Sequence, residues 1–190
     1  MFFINSVMLG VGLAMDAFSV SLANGLNEPD MNAGRMGLIA GVFAGFQALM
    51  PMIGWGCIHT IATYFEAFEK AIPWIALILL AYIGGNMIRE GLSPDGEPDE
   101  IKGLGLGTLI IQGIATSIDA LSVGFTISDY GLIMALVCSA IIATVTFVIC
   151  MFGLKIGKTV GVKLAGKANV FGGIILIIIG IEIFVKGIFF

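Results

Sequence analysis

The sequence predicts an all-α membrane protein of six transmembrane helices, arranged as two inverted three-helix repeats. Three observations carry this expectation. The composition is too apolar for water: of 190 residues, 58% are hydrophobic and 12% are charged, where an average soluble domain is about 25% charged. Six mostly apolar runs approach the ~20 residues that a membrane helix needs. A short acidic motif in the first run recurs in the fourth. The 27 glycines are about twice the usual share and follow no collagen period. Glycine in an apolar chain points to helices packed closely in a bilayer. Disorder is excluded, because disordered chains are charged and apolar-poor.

The first run covers residues 3–23. No Lys or Arg precedes Arg35, so the positive start of a signal peptide is missing and the run reads as a retained span. The second run, 37–61, holds Gln47 and Pro51. The third, 72–88, follows a mixed aromatic and charged stretch at 62–70 and then Pro73-Trp74, which reads as an interfacial turn on the outer face. Residues 93–100 contain two prolines, a glycine and four acids. They read as a flexible cytoplasmic linker, with a metal-collecting tether as the alternative. The chain thus divides into a first repeat at 1–92, an acidic linker at 93–103 and a second repeat at 104–190. The remaining runs are 104–126, 131–154 and 170–189. All six are continuous rather than alternating, which argues against barrel strands.

Basic residues set the orientation. One side collects Arg35, Arg89, Lys102, Lys155, Lys158, Lys163 and Lys167; the other holds only Lys70 and Lys186. Both termini are therefore expected outside, with the link from Lys155 to Lys167 in the cytoplasm. There is no basic stripe, so nucleic acid is not an expected partner. Cys57, Cys138 and Cys150 all lie in apolar runs and read as packing residues. His59 reads as an interfacial residue. The ten methionines read as packing rather than a copper site.

The repeat emerges when Gly10, Asp16, Ala17, Ser19 and Val20 are laid over Gly113, Asp119, Ala120, Ser122 and Val123 at one constant offset. A weaker match lays Gly84, Asn86, Glu90 and Gly91 over Gly180, Glu182, Lys186 and Gly187. Three spans per half means that the second half enters the membrane from the opposite side. Inverted repeats are a common transporter architecture, with binding near the midplane.

Asp16, Asp119 and Glu182 are the acids placed deep in the runs. Each Asp at a helix centre costs roughly 2.5–3.5 kcal/mol, so the pair costs about 5–7 kcal/mol. Lys186 lies one turn from Glu182 and can pair with it. No basic residue lies within one turn of either aspartate. The carboxylates are then either protonated or met by a cation, and alternation between the two is proton–cation exchange; hydrogen-bonded structural acids are the plainer alternative. Around Asp16 the helical neighbours include Gly12, Ser19 and Ala23; around Asp119 they include Ala115, Ser122 and Thr126. Both stripes are small, and both carry a hydroxyl one turn from the acid. Gln47, near the helix-loosening Pro51, and Asn86 can add neutral oxygens or act as interhelical glue. Glu90, beside Arg89, reads as a surface pair or a gate. An oxygen-rich, histidine-poor set suits a hard cation such as Mn²⁺ or Mg²⁺.

These residues resemble a known family. Met15-Asp-Ala-Phe-Ser-Val-Ser21 and Gly113-Ile-Ala-Thr-Ser-Ile-Asp-Ala-Leu-Ser-Val-Gly124 are similar to the paired signatures of bacterial MntP-type manganese efflux pumps. Phe46-Gln-Ala-Leu-Met-Pro-Met-Ile-Gly-Trp-Gly56 and Gly84-Gly-Asn-Met-Ile-Arg-Glu90 are similar to its second and third motifs. The resemblance covers essentially the whole chain. It implies export of Mn²⁺ across a bacterial plasma membrane, with Asp16 and Asp119 as site residues and Gln47 and Glu90 in family motifs. Gln47 stands where some members carry Glu, and Asn86 and Glu182 rank second.

The expectation is a secondary transporter, not an enzyme, that exports Mn²⁺. Asp16 and Asp119 bind it, Gln47, Ser19 and Ser122 add oxygens, and proton return is the expected drive. No cofactor is expected, since the metal is cargo. The bilayer is the expected environment, and no protein partner is evident. Alternatives are an exporter of Fe²⁺, Co²⁺ or another divalent cation, or of a small organic solute such as an amino acid. An intramembrane aspartyl protease lacks its expected Gly-x-Gly-Asp signature here. A purely structural membrane protein is the last alternative.

Overall fold

The structure is a computed structural model that describes residues 2–60, 65–92, 105–164 and 168–189. The linker 93–103 lies outside the described residues, as do the side chains of His59, Glu90 and Lys186 and part of the 62–70 stretch. The described residues form seven helices and no strand: α1 Phe2–Asn27, α2 Ala33–Thr60, α3 Phe65–Leu92, α4 Leu106–Thr116, α5 Ile118–Thr126, α6 Leu132–Leu164 and α7 Ala168–Phe189. Within them, Phe2–Asn27, Ala33–Cys57 and Leu132–Gly161 are long and apolar enough to cross a membrane. The pair α4 and α5 makes a fourth span if counted as one.

That pair is the main departure from the six runs read in the sequence. The fourth run is broken at Ser117, with a bend of 42° between α4 and α5. The cause is local. Ser117 Oγ donates to Gly113 O at 2.6 Å, and the Ser117 N–H donates to Ile114 O at 3.1 Å. Serine offers the backbone such alternatives to the regular helical ladder. The second departure is the link expected from Lys155 to Lys167. Helix α6 runs through it to Leu164. Gly153, Gly157 and Gly161, spaced four apart, present bare backbone to Phe18–Ser21, Leu22–Gly25 and Leu26–Pro29 of the α1 side. Continuous docking on α1 keeps the helix going past its apolar part, and Lys158 Nζ donates to Met31 O at 2.6 Å at its end.

Three glycine seams hold the bundle. On the α1–α6 seam, a Cβ added at Gly25 would fall 2.5 Å from Leu154 O. On the α2–α5 seam, Gly54 meets Leu121 O and Gly124. On the α3–α7 seam, Gly84 meets Gly173 and Leu176, while Gly180 meets Leu77 and Leu80. Small residues let backbones approach closely where no hydrophobic effect drives helices together. One apolar core centres on Ile39, Phe43, Leu80, Leu109, Leu154 and Leu176. A second joins Leu13, Ile127 and Ile142, with Leu9 and Tyr130 packed against it.

Candidate cation site at the helix break

The site is built around the side chain of Gln47, fully buried on α2. Its Nε2 donates to Leu13 O at 3.1 Å and to Thr116 O at 2.9 Å. Leu13 lies on α1, three residues before Asp16. Thr116 lies at the break, three residues before Asp119. One amide thus ties together the backbone turns that carry the two aspartates. The last carbonyls of a helix lack an intrahelical donor, and here the break supplies Thr116 O to Gln47. With both N–H groups committed to these carbonyls, the amide orientation is fixed. Its other end, Oε1, is buried and has no hydrogen-bond partner.

Asp16 is half-buried, and Asp119 is exposed in the first turn of α5. An acid in a first helical turn is favoured by the backbone dipole. Ser19 is half-buried and donates to Met15 O at 3.0 Å, which leaves its oxygen lone pairs available. Ser122 is exposed, one turn beyond Asp119, and its carbonyl accepts from Thr126 Oγ1 at 3.3 Å. The backbone turns that lead into Asp16 and Asp119 therefore meet at one node, the Gln47 amide, with the two serines a turn further along their helices. Asn86 and Glu182 lie on exposed faces of α3 and α7, the helices of the third seam. Among the described residues no group of three or more His, Cys, Asp or Glu is gathered for a metal. Carboxylates combined with neutral oxygens are a set that suits hard ions.

Several polar groups to which the sequence assigns no role make contacts between helices or lie buried. Asn24 and Gln112, both fully buried, exchange reciprocal hydrogen bonds at 2.8 and 3.2 Å and so link α1 to α4. A glutamine in an apolar run was a visible signal, as at Gln47. Glu28 and Arg35 pair bidentately, both bonds at 3.2 Å, across the α1–α2 corner. Ser139 and Thr146 carry buried hydroxyls that lack a hydrogen-bond partner, and the buried Ser21 hydroxyl meets the Cys150 thiol. Single hydroxyls in apolar runs are common, and composition does not single these out.

A family model described as "Putative manganese efflux pump" matches residues 30–184. The chain belongs to this manganese efflux pump family. It is 42% identical over 96% of its length to "Putative manganese efflux pump MntP 2" of Clostridium botulinum (strain Langeland), covering 94% of that protein. It is 40% identical to "Putative manganese efflux pump MntP" of Clostridium perfringens (strain 13), over 95% of this chain and 92% of that one. The Ruminiclostridium cellulolyticum protein of the same name is 38% identical, over 97% and 96%. No solved structure matches. Membership of the manganese efflux pump family makes the chain a transporter rather than an enzyme, and its apolar helices make it a multi-pass membrane protein.

Proposed function

We propose that this protein exports Mn²⁺ from the cytoplasm across the bacterial plasma membrane as a secondary transporter. Asp16 and Asp119 bind the cation, and Gln47 Oε1, Ser19 and Ser122 supply neutral oxygens. Glu90, Asn86 and Glu182 are secondary candidates on the route. The observation that carries this reading is the Gln47 amide. It is anchored by two carbonyls that each lead into an aspartate, and it is left with a buried, unpartnered oxygen. A buried carbonyl oxygen without a donor is destabilising, and a cation held by adjacent carboxylates would meet that need.

Six spans in two inverted three-helix halves are supported by recurrent contacts. Gly10 packs on Val145 and Gly113 packs on Phe46. Gly153 meets Phe18 and Ser21, and Gly54 meets Leu121 and Gly124. Each contact in one pair maps onto its fellow when α1 is exchanged with α4–α5 and α2 with α6. In the same way Gly84 against Gly173 and Leu176 maps onto Gly180 against Leu77 and Leu80. Leu13 and Thr116, the two carbonyls on Gln47, are themselves equivalent positions. The node therefore lies where the two halves meet, as binding sites do in inverted-repeat transporters.

Rocking of the halves about this node alternates access. Protons returning through the same carboxylates drive export, and both termini lie outside. The test is Mn²⁺ transport by purified protein in loaded vesicles. Asp16→Asn and Asp119→Asn should each abolish it, and normal transport by both would end the site assignment. Manganese content of a manganese-sensitive host, measured with iron and cobalt, identifies the substrate: manganese alone should fall.

A further inference from the structure

Thr146 sits fully buried on α6, and its hydroxyl oxygen has no hydrogen-bond partner. Ser139, also on α6, shares this state, whereas many other hydroxyls of the described helices find a backbone acceptor. The helix hydroxyls of Ser6, Ser19, Thr116, Ser117, Thr144 and Thr159 all donate back to the carbonyl four residues before them. Such back-bonding is the ordinary fate of a hydroxyl in an apolar helix. Thr144, two residues away on the same helix, follows it at 2.8 Å.

The position of Thr146 is also particular. The contacts that pair the halves set Phe46 against Gly113 and Val145 against Gly10, and they set Gly54 and Gly153 against equivalent turns. Phe46 thus corresponds to Val145 and Gly54 to Gly153, at one constant offset. The same offset lays Gln47 over Thr146. Two positions related by the exchange of halves each carry a buried oxygen without a hydrogen-bond partner. Gln47 spends its long amide on the two carbonyls between the aspartates, and threonine is too short to duplicate that clamp. What the two side chains share is a buried neutral oxygen without a hydrogen-bond partner.

We infer that the Thr146 hydroxyl is a further cation ligand, the second half's counterpart of Gln47 Oε1 in the same site. This rests on the proposed Mn²⁺ site. It assigns to α6 a direct part in binding, beside α1, α2 and α5. A hydroxyl suits a hard divalent ion, whereas a thiol at the same place favours soft ions.

The test uses the full-length protein in proteoliposomes. Wild type, Thr146→Val, Thr146→Ser and Thr146→Cys are assayed for Mn²⁺ transport, for inhibition by Cd²⁺ and for thermal stability in detergent. Valine keeps the shape and removes only the oxygen. Thr146→Val should melt at or above the wild-type temperature, while its KM for Mn²⁺ rises about tenfold, the lower end of what ligand-shell changes cost. Thr146→Ser should stay near wild type. Thr146→Cys should become more sensitive to Cd²⁺ than the wild type, whose three native cysteines set the background. A Thr146→Val protein with unchanged KM, and Thr146→Cys with unchanged Cd²⁺ sensitivity, would overturn the inference. So would a Thr146→Val protein that fails to fold, because the hydroxyl would then be structural. A wild type that moves no Mn²⁺ overturns the proposed function itself, so the two failures are told apart.

Discussion

At the scale of single residues, buried amides do the connecting. Gln47 holds two backbone carbonyls, and Gln47→Leu would leave both without that donor. Orphaned buried acceptors cost about 1–3 kcal/mol. Gln47→Leu should therefore lower the melting temperature in detergent and also abolish Mn²⁺ transport. The Asn24–Gln112 pair behaves differently. Asn24→Leu alone, or Gln112→Leu alone, strands the partner amide and should cost about 1–3 kcal/mol. The double substitution removes both polar groups together, so its cost should fall well below the sum of the singles. Thermal denaturation of the three variants measures that coupling. The sequence made Asp16 and Asp119 legible because a charge in an apolar run is costly and appeared twice. Gln47 was legible for its place before Pro51. Gln112 carries no charge, and its meaning depends on a partner, Asn24, that only packing reveals.

At the scale of elements, the glycine seams set helix spacing. Gly157 on α6 faces Leu22 O and the backbone of Gly25, and a methyl group there would have no room. Gly157→Ala should cost about 1–3 kcal/mol, the usual range for overpacking. Gly41→Ala on α2 meets nothing within 4 Å and should leave the melting temperature unchanged or slightly raised. Comparing the two by thermal denaturation separates seam from surface. The runs at 3–23, 37–61 and 131–154 were legible in the sequence because hydropathy and length alone define them, and helices long enough to cross a membrane occupy them. The break at Ser117 was not. No proline or glycine marks it, and the Thr116-Ser117 pair becomes a break only through the hydroxyl bonds it makes. The extent of α6 was misjudged for a related reason. Its lysines suggested a link, while the glycine ladder that docks it on α1 carries no charge signal.

At the scale of the whole molecule, every seam joins the first half to the second. α1 lies on α6, α2 on α5 and α3 on α7. Neither half buries its small-residue faces alone. Residues 1–92 and 104–190, expressed as separate chains in one cell, should therefore co-purify and restore Mn²⁺ transport. Either fragment expressed alone should be degraded. Failure of the pair to co-purify would mean that the covalent linker, and not the seams, holds the halves together. The broken span has a further consequence, in the order of biosynthesis. α4 has 11 residues and α5 has 9, about 16 and 14 Å at the rise of an α-helix, so each is only about half the ~30 Å hydrocarbon thickness. The backbone exposed at such a break is tolerated in a bilayer only when protein covers it. The covering groups, Gln47 and Phe46, belong to α2, which leaves the ribosome first. A ribosome working from the N-terminus thus delivers the cover before the break, and a circular permutant that begins at the linker would reverse that order.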